Sequence, residues 1–325
     1  MQPIKGLHHI TAVAGDPQGN INFYRQVLGQ RLVKTTVNFD DPGTYHFYYG
    51  DRIGTPGTLL TFFPWRHVKP GRAGSGEATA VAYSIPQGSL NFWQAHLERM
   101  HANPGEVEER FGAAVLPFED PDGMRLELIV SDQPAAVQYW QAGPIPEPYA
   151  LRGFHSTTLW LTEIEPTAEL LSKQLGYQLV GQEGLRYRFK CTSAEAGLFI
   201  DLLHQPGYPL GRFGAGSIHH IAFRVGDEHE QLEYLNHLRQ AGQRVTPVQD
   251  RQYFRSIYFR SPGGVLFEIA TDSPGMTIDE PVGELGDNLK LPPWLEANRN
   301  HIENILPKIV RPSLINSPEL IPVDG

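Results

Sequence analysis

The chain has 325 residues, of which 40% are hydrophobic and 19% are charged, and its formal net charge is −9. This length suits two domains of ordinary size, and the composition is that of a folded globular protein. The acidic balance argues against a nucleic-acid partner and an anionic membrane partner, because both attract basic surfaces. No run of about 18 apolar residues predicts a membrane span.

The single cysteine, Cys191, excludes an intramolecular disulfide and fits a reducing compartment. We therefore expect a cytoplasmic enzyme or binding protein. The turn sequences DDPG, TPGT, DPDG and SPGG separate short runs of alternating apolar residues. This pattern predicts a strand-rich protein with few helices.

Four segments of the chain repeat one layout, in which a strand is followed by an amphipathic helix and then by further strands. We therefore predict an α+β fold made of four βαβββ modules and a C-terminal tail. The predicted boundaries are 1–66, 76–132, 152–205 and 214–273 for the modules and 274–325 for the tail.

The first module opens with the strand HHITAVA and continues with the helix PQGNINFYRQVLG. The third module aligns with it without a gap, and both helices end at Leu-Gly, with Gly29 and Gly176 as left-handed helix stops. The second and fourth modules end in DPDGMRLELIV and SPGGVLFEIAT, which places Glu127 over Glu268. Beyond them, LPPWLEANRNHIENILPKIV predicts an outer helix before a proline-rich tail.

This repeat, together with the paired histidines of HHITAV and HHIAFRV, resembles the vicinal oxygen chelate superfamily, which includes glyoxalase and the extradiol dioxygenases. The resemblance implies that paired modules curve around a cavity, and that the first and last strands of each module supply metal ligands. The matching positions are His9, Ala80, Ser156 and His220 in the first strands and Thr61, Glu127, Asp201 and Glu268 in the last strands.

Only the fourth module supplies both a histidine and a carboxylate, His220 and Glu268, and the first module supplies His9. Two imidazoles and one carboxylate with open positions suit Fe(II) beside O2, and Mn(II) accepts the same ligands. This interpretation pairs modules one and four in the metal-site domain and leaves modules two and three as a degenerate domain.

Two alternatives stay open at this point. Sequential pairing of modules three and four would use His155, His220 and Glu268, with Asp201 as a fourth ligand, but it needs a one-residue slip that turns a strand side chain to the other face. Alternatively, Glu268 is ion-paired with Arg251 or Arg255, because a buried carboxylate is costly without a partner.

A longer stretch, GQRLVKTTVNFDDPGTYHFYYGDRIGTPGTLLTFFPW, and LPPWLEANR near the end resemble the hydroquinone ring-cleaving dioxygenases. That family implies Fe(II)-dependent opening of a hydroquinone-type ring with O2. The positions that would act on the substrate, as the resemblance carries them over, are His8, His219, Tyr258, Arg251 and Thr11.

Adjacent strand residues point to opposite faces, so His8 and His9 cannot both face a cavity from a regular strand. Either the strand start is irregular, or His8 reaches the site from the rim. We interpret His46 as structural, and Tyr45, Phe47 and Tyr49 as packing residues of one strand.

The competing functions are an extradiol catechol dioxygenase, a glyoxalase-type lyase or isomerase, and a non-enzymatic binding protein of the same fold. The glyoxalase type usually has a carboxylate where this chain has Thr61, and binding proteins tend to lack the full ligand set. We expect a small aromatic substrate and O2 as partners, and a homo-oligomer.

Overall fold

The computed structural model describes residues 2–132, 137–194 and 196–311. The elements of the first module are β1 (Leu7–Ala14), α1 (Pro17–Asn22), β2 (Arg31–Asn38), β3 (Asp41–Gly50) and β4 (Leu59–Pro64). Those of the second module are β5 (Glu77–Ile85), α2 (Leu90–Arg99), β6 (Glu108–Arg110), β7 (Ala113–Glu119) and β8 (Arg125–Val130).

The elements of the third module are β9 (Phe154–Leu161), α3 (Glu165–Glu169), β10 (Gln178–Glu183), β11 (Arg186–Lys190) and β12 (Phe199–His204). Those of the fourth module are β13 (Ile218–Val225), α4 (Glu228–Gln240), β14 (Gln249–Asp250), β15 (Phe254–Arg260) and β16 (Leu266–Pro274). The last helix, α5, spans Arg299–Ile305. None of the described helices is long and apolar enough to cross a membrane.

The strands form two eight-stranded sheets. One has the order β14-β15-β16-β13-β1-β4-β3-β2, and the other has the order β10-β11-β12-β9-β5-β8-β7-β6. Each sheet joins two modules through an antiparallel pair of opening strands, β1 with β13 and β5 with β9. The predicted α+β class is confirmed. His155 opens β9 in the second sheet, so it lies in a different sheet from His220.

The helices that follow β1 and β9 share an unusual ending. Asp16 caps α1 by accepting a hydrogen bond from the backbone N–H of Gly19 at 2.6 Å. Both α1 and α3 then pass into a π-helical turn. After each of these turns the backbone adopts a left-handed conformation at a glycine, Gly29 with φ +66° and Gly176 with φ +75°. The glycine stops expected at these two positions are therefore present.

The segment after β16 lies against β2 and β3. Lys34 on β2 is fully buried, and its ammonium contacts the carboxylates of Asp279 at 2.6 Å and Glu280 at 2.5 Å. This contact anchors the C-terminal segment, since a buried lysine requires anionic partners. Helix α5 is shorter than the predicted outer helix because prolines interrupt the apolar pattern on both sides. The predicted proline-rich tail lies largely outside the described residues.

Candidate metal centre

Three side chains from three strands converge on one point in the first sheet. His9 on β1, His220 on β13 and Glu268 on β16 are all buried, and each directs one ligand atom into a group that spans less than 4.8 Å. The Nε2 atoms of the two histidines lie 3.3 Å apart, and Oε2 of Glu268 lies 3.3 Å from His9 Nε2 and 2.9 Å from His220 Nε2. Among the described residues, these three side chains form the group whose ligand atoms lie close enough together to hold a metal ion.

The donor set fits a metal ion. Although Oε2 of Glu268 is within ionic distance of both imidazoles, it has no well-directed hydrogen bond from any described residue. Separations near 3 Å are expected between ligands that each lie about 2.1 Å from a shared ion. Burial opposes ionisation of Glu268, but the charges of His9 and His220 outweigh it and hold the pKa of this carboxyl well below its usual range.

His8 supports His9 from behind. The register of β1 is irregular between Leu7 and His9, which lets the adjacent rings meet, and their Nδ1 atoms lie 2.9 Å apart. If His9 binds a metal through Nε2, its Nδ1–H donates to Nδ1 of His8.

His8 is not among the residues that line the cavity beside the cluster, and its ring contacts His9. Burial, followed by the charge of His9, lowers the pKa of His8 well below its usual value, so the ring is neutral.

His219 supports His220 in the same way, with 2.7 Å between their Nδ1 atoms. If His220 binds a metal through Nε2, its Nδ1–H donates to His219, and the proton of His219 is then on Nε2. Burial, followed by the charge of His220, lowers the pKa of His219 to about 3. Unlike His8, His219 lines the cavity and offers an N–H donor there.

Tyr258 and Arg251 also line the cavity and contact each other. The Nε of Arg251 donates to the Tyr258 hydroxyl at 3.1 Å, and its Nη1 contacts the exposed carboxylate of Asp40 at 3.1 Å. Burial, followed by the charge of Glu268, raises the pKa of Tyr258. Arg255 pairs with Asp250 instead, so neither arginine is the ion-pair partner of Glu268.

A cavity of about 420 Å³ opens beside the cluster. Its polar wall includes Thr11, and its apolar wall is aromatic, with Phe63, Trp65 and Phe254. This volume accommodates a small aromatic molecule, and the cavity is also lined by the polar side chains His9, His219, His220, Arg251 and Tyr258.

Two further cavity residues, His46 and Tyr48, were not predicted as site residues. Their hydroxyl and imidazole groups are hydrogen-bonded to each other at 3.0 Å, and His46 continues to Thr61 at 2.9 Å. The repeat held a signal for them, since HFYYG of the first module and SIYFR of the fourth place Tyr48 over Tyr258. The expected packing roles of Tyr45, Phe47 and Tyr49 agree with their burial.

The carboxylates at the equivalent positions of the second sheet are paired with arginines. Arg110 donates to Glu127 at 2.7 Å, and Arg188 binds Asp201 with two hydrogen bonds of 2.8 Å. Burial, followed by the charge of Arg188, lowers the pKa of His155 to about 3. The two carboxylates at ligand-equivalent positions are therefore neutralised by guanidinium groups.

Comparison with known protein families gives one match that spans most of the chain. The profile of the "Glyoxalase/Bleomycin resistance protein/Dioxygenase superfamily" matches residues 6–128 and 153–269. The two matched ranges take in nearly all of the strands of both sheets.

Two curated relatives align over nearly their whole length. "Putative ring-cleaving dioxygenase MhqO" of Bacillus subtilis (strain 168) is 44% identical, covering 94% of this chain and 97% of that protein. "Chlorohydroquinone/hydroquinone 1,2-dioxygenase" of Sphingobium indicum is 38% identical, covering 92% of this chain and 95% of that protein.

A solved structure matches the fold over almost the same length. The crystal structure of a "putative dioxygenase" from Bacillus subtilis subsp. subtilis str. 168 superposes with a TM-score of 0.91 at 41% identity. The match covers 97% of this chain and 100% of that chain.

Proposed function

Because this chain belongs to the glyoxalase/bleomycin resistance protein/dioxygenase superfamily, we propose that it is a ring-cleaving dioxygenase that opens a hydroquinone-type aromatic ring with O2. His9, His220 and Glu268 would hold the metal that this reaction requires. The printed names of relatives that are 38% and 44% identical to this chain support the reaction class.

One observation carries the proposal: three buried ligand atoms meet at the floor of a cavity with aromatic walls. The cluster contains three protein ligands. A fourth would come from β4, at the position equivalent to Glu268, but that position is occupied by Thr61. Three protein ligands leave positions open for exogenous molecules, whereas a purely structural site is closed by its protein ligands. This arrangement also disfavours a glyoxalase-type reaction.

The metal that His9, His220 and Glu268 would hold, Fe(II) with Mn(II) as the alternative, would supply the redox chemistry between a phenolic substrate and O2. The protein's own contribution is to orient the ring, to hold protons at defined atoms and to exclude bulk water. Phe63, Trp65 and Phe254 supply the apolar surface against which an aromatic ring packs.

Tyr258 positions the substrate oxygen. Its hydroxyl oxygen accepts the hydrogen bond from Arg251, so its hydrogen is left to donate to an oxygen in the cavity. Since burial keeps the phenol protonated, the donor is present at neutral pH. The guanidinium of Arg251, 5.4 Å from the Tyr258 ring, also stabilises negative charge that develops on the ligand.

His219 provides a second hydrogen-bond donor to the cavity. With its Nδ1 occupied by His220, the neutral ring presents Nε2–H to the cavity, where it donates to an oxygen atom that gains negative charge. Replacing His219 with Leu removes this donor, so we expect kcat to fall by about 100-fold.

The test is O2 uptake by protein that has been purified without oxygen and loaded with Fe(II). With hydroquinone or chlorohydroquinone as substrate, we expect the protein to consume one O2 for each ring opened. An oxygen electrode measures the O2 consumed, and the loss of ring absorbance measures the rings opened. Failure of the metal-loaded protein to consume O2 with any hydroquinone contradicts the proposal.

Two further substrates distinguish the competing functions. Faster O2 uptake with catechol than with hydroquinone assigns the protein to the extradiol catechol dioxygenases. Isomerisation of the methylglyoxal–glutathione adduct without O2 uptake assigns it to the glyoxalase type. Loading with Mn(II) in parallel identifies the active metal.

A further inference from the structure

Four side chains opposite Glu268 form one hydrogen-bonded row that crosses from β3 through β4 to β1. The hydroxyl of Tyr48 lies 3.0 Å from Nδ1 of His46, and Nε2 of His46 lies 2.9 Å from Oγ1 of Thr61. Oγ1 of Thr61 lies 2.7 Å from Oγ1 of Thr11. We refer to Tyr48, His46, Thr61 and Thr11 as the hydroxyl row.

The hydroxyl row occupies the half of the site that mirrors the metal half. Tyr48 on β3 is the register partner of Thr61 on β4, as Tyr258 on β15 is the register partner of Glu268 on β16. Thr61 is therefore the counterpart of the Glu268 carboxylate. Where the fourth module supplies a charged ligand, the first module supplies a neutral hydroxyl that is bonded on both sides.

The direction of the hydrogen bonds follows from the number of protons. A neutral imidazole has one N–H and one acceptor nitrogen, so His46 accepts on one side and donates on the other. If Tyr48 donates to Nδ1, then Nε2–H donates to Thr61 and Thr61 donates to Thr11. The hydroxyl hydrogen of Thr11 then has no acceptor within the row. Thr11 lines the cavity beside both histidine ligands.

The reverse direction would leave the unused hydrogen on Tyr48 instead. Both side chains line the cavity, but Thr11 is the register partner of His220 on the neighbouring strand. A hydrogen left on Thr11 therefore lies beside the metal ligands, where the phenolic oxygen of a bound ligand can accept it.

We propose that His46 and Thr61 are positioning residues that fix the direction of the hydroxyl row, so that Thr11 donates a hydrogen bond to the phenolic oxygen of a ligand seated beside His9 and His220. The row takes the place of a fourth protein ligand and recognises the ligand instead of the metal. This inference rests on the proposed function for the identity of the ligand, but its geometry is independent of turnover.

The first test reads the direction of the row directly in the metal-free full chain. Two-bond ¹H–¹⁵N correlation spectra distinguish the two tautomers of a neutral imidazole, and the His46 signal is assigned by its absence in His46→Gln. We expect the proton of His46 on Nε2. A proton on Nδ1 overturns the proposed direction.

The second test measures anaerobic binding of hydroquinone to metal-loaded protein by calorimetry, with Thr61→Val as the variant. Loss of the hydroxyl uncouples Thr11 from His46, and we expect binding to weaken about tenfold with unchanged metal content. Thr61→Ser restores the hydroxyl and should bind within about threefold of wild type.

The matched control is Thr36→Val on β2. Thr36 is fully buried, and its hydroxyl has no hydrogen-bond partner among the described residues, so the same chemical change there should leave binding unaltered. Equal binding by Thr61→Val and Thr36→Val overturns the proposal, as does loss of metal from Thr61→Val. If the wild type consumes no O2 with hydroquinones, the proposed function fails. The role of the hydroxyl row is then still decided by the tautomer of His46 and by phenol binding to wild type, Thr61→Val and Thr36→Val.

Discussion

His9 and His220 face each other through Nε2 atoms that are 3.3 Å apart, although 211 positions separate them in the chain. Their strands pair antiparallel at the centre of the first sheet, with Ala222 opposite His9 and His220 opposite Thr11. The fourth module supplies His220 and Glu268, so the first and the last module must both be folded before all three candidate ligands exist in one place.

Replacing His9 with Ala tests the assignment of the ligands. We expect the variant to lose metal affinity by more than about 100-fold, because removing a ligand costs more than removing a group that only orients one. Metal content after Fe(II) loading and desalting, measured by mass spectrometry, reads the effect. The control is His155→Ala, an equally buried strand-opening histidine of the second sheet, which should bind metal as the wild type does. Metal loss from the control alone would reverse the assignment.

The support of His9 by His8 predicts a difference between two substitutions. His8→Leu removes the acceptor from His9 Nδ1, so we expect about a 10- to 100-fold loss of metal affinity. His8→Asn retains a polar atom near the position of Nδ1 and should keep most of that affinity. Competitive chelator titration measures both variants. Equal affinities for His8→Leu and wild type would show that the contact has no orienting effect.

The arginines of the second sheet predict that each chain binds one metal ion. Asp201 is fully buried between Arg186 and Arg188, so Asp201→Asn leaves buried guanidinium charge without compensation. We expect the free energy of unfolding to fall by about 3–5 kcal/mol while the metal content stays at one per chain. Urea unfolding and metal analysis of the same sample check both. A second metal ion in the wild type would contradict the prediction.

Asp120 predicts a pH dependence of stability. Burial raises the pKa of its carboxyl to about 7, despite hydrogen bonds from Tyr24 and the backbone of Met124. Between pH of about 4 and 7 the folded protein therefore retains a proton that the unfolded chain has released. The free energy of unfolding should fall as the pH rises through this window, by about 1.4 kcal/mol per pH unit at most.

Asp120→Asn should remove this slope, which urea unfolding at a series of pH values measures. Glu119→Gln, which changes the neighbouring exposed carboxyl at the end of β7, is the control and should retain the slope. If the free energy of unfolding of Asp120→Asn depends on pH as that of the wild type does, Asp120 ionises normally in the folded protein.

The local order of the protein was readable from its sequence. The alternation of apolar residues predicted strands, and the turns and Leu-Gly stops bounded the modules, because these signals depend on neighbours within a few residues. The repeat also aligned His9, His220 and Glu268 at corresponding positions of their modules. The outer helix is shorter than the sequence pattern predicts, because prolines flank it on both sides.

The place of His46 could not be read in the same way. Its sequence neighbourhood is an aromatic strand, and a single imidazole there is compatible with packing. Only the approach of β3 to β4 and of β4 to β1 aligns His46 with Thr61 and Thr11. Hydrogen bonds between side chains on adjacent strands depend on register, which the chain sets through long-range pairing.

The sequence by itself determined the module layout, the fold class and the residue types that can bind a metal, because periodicity and chemical identity are local properties. The tertiary structure decided which carboxylates have free oxygen atoms. Glu127 and Asp201 align with ligand positions as Glu268 and Thr61 do, yet Arg110 and Arg188 bind the first two. These arginines reach the carboxylates from other strands of the same sheet, β6 and β11, so their effect exists only once the sheet has formed.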